Sequence, residues 1–122
     1  MKITDLYTRE AANTGRRVAV PGRNGMDSGE WMHIHHIDAD AFRQRRAAVL
    51  SRHAMLSDAE RNEKRVQHTN ELLAALVSGW SLEDECTPDN VQELLNNAPY
   101  IADWLDRISS DASVFFGAVS IS

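Results

Sequence analysis

The stretch "EWMHIHHIDADAF", Glu30–Phe42, is where the character of the chain changes. Its first half, "WMHIHHI" at 31–37, is β-branched, aromatic and imidazole-bearing, as a strand would be. After Ile37 the apolar period lengthens from two to about 3.6 residues, which predicts a helix with Phe42, Val49 and Leu50 on its inner face. Asp38 or Asp40 is placed to cap it. Sheet and helix must therefore pack in one fold.

The same stretch holds three histidines and two aspartates within eight positions, so a metal site has to be considered. Alternation puts His33 and His35 on one strand face and His36 on the other. Two imidazoles at i and i+2 can grip an ion, but a catalytic zinc typically takes a third protein ligand and a water. The H-x-H-x-D-H pattern of metallo-hydrolases fails, because position 37 is Ile and Asp38 comes one residue late. His53 and His68 sit on separate predicted helices with no partner at ligand spacing. No metal and no cofactor are expected, and the three histidines read as packing on their ring faces along a half-exposed strand.

Upstream, "RRVAV" at 16–20 is a second strand, separated from 31–37 by "PGRNGMDSGE", which is dense in turn formers. The pair predicts a β-hairpin with a long exposed loop. Gly22, Gly25 and Gly29 do not make a phosphate loop, since Met26 and Asp27 stand where Lys and Ser or Thr are needed.

Downstream, "SDAE" at 57–60 is a capping box opening a second helix, which runs through Val66, Leu72, Leu73, Leu76 and Val77 to a stop at Gly79. A third helix starts at "TPDN", with Thr87 as cap and Pro88 in the first turn. The last begins near Pro99, its apolar side made of Ile101, Trp104, Leu105, Ile108, Ala112, Phe115 and Phe116. Trp80, Leu94, Leu95, Trp104, Leu105 and Ile108 should share a core. The expected fold is mainly α within an α+β class, an N-terminal β-hairpin packed on about four helices. A single domain over 1–122 is expected, with 1–37 the hairpin region, 38–117 the helical region and 118–122 a tail expected to fray.

No stretch approaches the roughly 20 apolar residues of a membrane span, and "MKITDLYTRE" lacks the apolar core of a secretory signal. A cytosolic chain without membrane contact is expected. Cys86 is the sole cysteine, so it reads as an inert thiol. The net charge of −5 divides unevenly: residues 1–53 hold nine Lys or Arg against six acids, and 54–122 hold four against twelve. Solvated helix faces account for such a split, and a basic partner on the C-terminal half would use it. Carboxylate pairs such as Glu83 with Glu85 fall in solvent-facing registers, and no G-x-S-x-G nucleophile motif is present. "RQRR" at 43–46 is the strongest nucleic-acid signal, yet it lacks interleaved aromatics and a DNA-binding motif.

The order of these pieces resembles the tail assembly chaperones of long-tailed bacteriophages. The resemblance spans roughly residues 16–117 and rests on Gly79–Trp80, Thr87–Pro88–Asp89–Asn90, Leu94–Leu95, Pro99 and Phe115–Phe116 taken together. The chain departs from the family pattern at Ala39, where Ser is common, and in its His33–His36 cluster.

Such a resemblance implies a non-enzymatic protein that holds the tape measure protein soluble in the host cytoplasm and helps the tail tube polymerise, itself absent from the mature virion. Tail tube protein would be a second partner, recruited through a longer frameshift product. Self-association into a homo-oligomer stays open. The candidate partner-binding residues are Trp80, Leu94, Trp104, Phe115 and Phe116; no catalytic residue is expected. For the phenylalanines the reason is geometric, since neighbours on a helix point about 100° apart and one core is not expected to bury both. The alternative function is a small nucleic-acid-binding regulator acting through the arginine-rich first helix.

Overall fold

A computed structural model describes residues 1–117; the expected fraying of 118–122 lies outside the described residues. A 3-10 turn (Ile3–Leu6) and helix α1 (Arg9–Thr14) lead into strands β1 (Arg16–Pro21) and β2 (Asp27–Ile34). Helices α2 (Asp40–Ala54) and α3 (Asp58–Ala74) follow, then strand β3 (Val77–Trp80). Helices α4 (Pro88–Asn97), α5 (Pro99–Ser109) and α6 (Ala112–Phe115) complete the fold. The strands make one antiparallel sheet in the order β1-β2-β3, so the protein is a mostly helical α+β fold built on the expected hairpin.

β2 is the central strand because it alone has partners on both sides: Val18 faces Met32 and Arg17 faces His33 across β1, while Trp80 faces Met32 and Gly79 faces His33 across β3. Met32 and Ile34 point into the core, and Trp31 and His33 lie half-buried on the other face. The Arg17 guanidinium covers the Trp31 ring at 3.7 Å. The loop is shorter than its composition suggested, since β2 already begins at Asp27. Ser28 Oγ donates to the Val20 carbonyl at 2.7 Å, and Gly29 takes a positive φ of 81°, so turn-forming residues are absorbed as an irregular strand start.

The expected stop at Gly79 is incorrect. α3 ends at Ala74, and Val77–Trp80 is a strand instead. Leu72, Leu73, Leu76 and Val77 keep helical spacing, and a short apolar run does not reveal its own backbone state. Pairing decides it: the free edge of β2 accepts β3, and Leu76 is fully buried where the chain turns. The last helix is likewise two. Asp111 accepts from the Ser113 amide at 3.0 Å and from its hydroxyl at 2.6 Å, so a side-chain cap starts α6 after a break at Ser110.

Neither Asp38 nor Asp40 caps α2. Its N-cap is Ala39, the position where the resemblance favours Ser, and no side chain of that residue can serve. Asn13 of α1 fills the gap, its Oδ1 accepting from the Asp40 amide at 2.7 Å. Asp40 turns outward to Arg9 (2.9 Å) and Asn13 Nδ2 (3.1 Å). Those bonds, the Arg9 one first, hold its carboxyl below the usual carboxylate range. α1, which has no apolar periodicity of its own, owes its place to these bonds and to the fully buried Ala12.

On α2 the inner face is Phe42 and Val49; Leu50 is 47% exposed, contrary to the pattern, because adjacent helical positions diverge. Met55, just after α2, and Val66, midway along α3, are also exposed. The capping box at Ser57 and Glu60 and the Thr87 cap both form as expected. Leu95, Trp104 and Leu105 lie inside the core, with Trp80, Leu94 and Ile108 packed against its edge.

Candidate partner-binding surface

The five candidate residues separate into three groups. Trp104 is only 8% exposed and packs in the core, pointing the same way from mid-α5 as Ile101 and Leu105, both buried. Phe115 and Phe116 are both half-buried against that core, neither of them fully open. Their rings close over His36, with centroids 5.5 and 4.6 Å from the imidazole.

Trp80 and Leu94 come together. They line a groove of about 410 Å³ with Leu82, Asn90, Asp84 and Glu93, between the end of β3 and the outer face of α4. The Trp80 indole N–H donates to the Asp84 carbonyl at 2.7 Å, which orients the ring and leaves its apolar face toward the groove. Asn90 Nδ2 donates to the Glu85 carbonyl at 2.8 Å and the Asn90 amide to Thr87 Oγ1 at 3.1 Å. The loop joining β3 to α4 is thus held in place by α4. Leu82, Asn90 and the acidic rim were missed in the sequence because an exposed "EDE" run reads as ordinary solvated surface. Cys86, on the same loop, is half-buried, and that burial pushes its thiol pKa up, as an unreactive thiol requires.

The histidines have structural partners. His33 Nε2 donates to the Thr14 carbonyl at 2.8 Å and His35 Nδ1 to that of Ala12 at 3.2 Å, while His35 Nε2 accepts from Ser78 Oγ at 2.9 Å. They lock α1 onto the sheet, and Gly15 between them has φ 71° with Ile34 O only 2.6 Å from where a Cβ would stand. Nothing larger fits there. His36 is buried and its Nδ1 accepts from the Asp38 amide at 3.1 Å. His53 and His68, without partners in sequence spacing, meet across α2 and α3 with Nδ1 atoms 2.5 Å apart. Among the described residues no group of three or more His, Cys, Asp or Glu is placed to share a metal ion.

The arginine-rich face of α2 is partly neutralised. Arg45 and Arg52, one on each side of the nearly buried Glu71 of α3, bind its two carboxylate oxygens at 2.5 and 2.6 Å. The Arg52 hydrogen bond, opposed by partial burial, holds the Glu71 carboxyl below its usual range. Two of the charges that suggested phosphate binding are therefore committed to joining α2 to α3.

A groove that sets a few apolar side chains among polar ones on a small α+β scaffold is the form of a binding module. A family model of phage tail assembly chaperones matches residues 17–105, and the chain belongs to that family, which is non-enzymatic and whose partners are tail proteins. The matched segment includes Trp80 and Leu94 and stops short of Phe115 and Phe116. No curated protein and no solved structure matches the chain. Among the described residues, no helix is long and apolar enough to cross a membrane.

Proposed function

We propose that this protein binds the tape measure protein of its phage in the host cytoplasm, keeps it soluble and assists polymerisation of the tail tube around it, without remaining in the mature virion. The observation that carries this is the groove where the half-buried Trp80, Leu82 and Leu94 side chains lie open among polar neighbours, in a chain of the tail assembly chaperone family. A tape measure protein is long and helical, and its apolar faces lack a partner until the tube closes, so they aggregate unless covered. A shallow groove that takes one apolar side chain binds weakly, and many copies along one tape measure supply coverage that incoming tube protein can displace. Tail tube protein would reach the complex through a longer frameshift product, as the family resemblance implies.

Co-expression tests it. The cognate tape measure protein should become soluble with the intact chaperone, and Leu94→Asp should reduce that yield by removing about 1–3 kcal/mol of apolar burial at the groove. Circular dichroism should show the variant folded, since Leu94 lies at the edge of the core. Failure of the intact protein to solubilise its tape measure at any ratio overturns the proposal.

A further inference from the structure

We infer that the groove takes a cationic amphipathic segment, one in which Lys or Arg flanks a Leu, Ile or Met that enters between Trp80 and Leu94. The inference rests on the chaperone function proposed above and specifies the chemistry of the segment bound. It comes from the charge around the groove. From Ala75 to Asp106 the chain carries seven carboxylates and no Lys, Arg or His. Asp84 and Glu93 line the groove, and Glu83, Glu85 and Asp89 flank them in the chain; all five are exposed. Among the described residues every ion pair uses Asp38, Asp40, Asp58 or Glu71, so none of these five carboxylates has a cationic partner.

Unpaired carboxylates beside the Trp80, Leu82 and Leu94 side chains of the groove attract cations over several ångströms and repel acidic segments. A lysine or arginine fits both features, its methylene stem lying on Trp80 or Leu94 while its charged head reaches Asp84 or Glu93. The loop is tied by the Trp80 and Asn90 hydrogen bonds, so binding does not have to order it first. The opposite assignment, an acidic or purely apolar occupant, would leave the rim charges repelled or desolvated without a partner. A second copy of this chain is the other candidate, because Arg43 and Arg46 are exposed on α2 near the exposed Leu50.

The test uses the full-length chain and overlapping peptides that tile the cognate tape measure protein, with binding read by titration calorimetry and Trp fluorescence. Peptides combining basic and large aliphatic residues should bind, and raising the salt from low to physiological should weaken them severalfold. The variant Asp84→Asn/Glu85→Gln/Glu93→Gln should weaken the same peptides about tenfold with an unchanged melting temperature. Asp103→Asn/Asp106→Asn, which removes the same sign of charge elsewhere, should bind as the parent does.

Equal binding by the triple variant, or a preference for uncharged or acidic peptides, overturns the inference while leaving the chaperone function standing if the intact tape measure is still solubilised. A concentration-dependent dimer in sedimentation that the triple variant dissolves also overturns it, since the groove then belongs to a second copy. Absence of both peptide binding and solubilisation overturns the inference and the proposed function together.

Discussion

The imidazole of His36 lies against the ring of Phe116, centroids 4.6 Å apart, and so joins the point where strand becomes helix to the last helical turn of the described chain. The next residue strengthens the tie: the Ile37 amide donates to the Ser109 carbonyl at 3.0 Å, at the end of α5. Sequence pattern placed His33, His35 and His36 together on a half-exposed strand, where substitution should cost little. Tertiary packing distinguishes them.

His36→Gln should destabilise the fold by about 1–3 kcal/mol, because a buried ring that packs on two phenylalanines and accepts a backbone hydrogen bond is lost. His33→Gln should cost about 1 kcal/mol or less, the worth of one half-exposed hydrogen bond. Urea denaturation of the two single variants checks the order. Equal losses would mean that His36 does not hold the C-terminal turn.

Asn13→Ala should cost about 1 kcal/mol, the usual worth of a helix cap, although Asn13 lies outside the helix that it caps. Its side chain accepts from the Asp40 amide and donates to the Asp40 carboxylate. Hydrogen exchange should locate the loss in the first turn of α2. Loss confined to α1 would show that Asn13 serves only its own helix.

Stability should fall in two steps as the solution is acidified. His53 is held below its ordinary value of 6.5 by partial burial first, then by repulsion from His68 and Arg61. The unfolded chain therefore takes up a proton before the folded one does, and stability declines as pH falls below about 6.5. Glu71, whose carboxyl is held below its ordinary 4.5 chiefly by Arg52, contributes stability that is present above 4.5 and is lost as pH falls further. Melting temperature against pH should lose its upper step in His53→Gln and have a smaller lower step in Glu71→Gln, Asp40 supplying part of what remains. A profile flat between pH 7 and 5 in the parent would show that protonation of His53 is not linked to folding.

The sequence by itself determined the elements whose signals are local. The hairpin, the capping box at Ser57 and Glu60, the Thr87–Pro88 helix start and the burial of Phe42, Val49, Leu95 and Leu105 all follow from side-chain period and cap chemistry within a few residues. The order of those pieces also carried the family, confirmed by the match over residues 17–105. Only the tertiary structure decided what depends on a distant partner. Val77–Trp80 is a strand because β2 offers it unpaired backbone groups, and α1 persists because Asp40 and the histidines of the sheet hold it. Trp104 is core whereas Trp80 is half-open, although both are tryptophans in apolar periodic runs. His53 pairs with His68 across fifteen positions, and the groove forms from β3, a loop and α4. A period reports which residues want to leave water, but their partners are set by how the elements pack, and for pairing, burial and binding surface the partner is the larger part of the free energy.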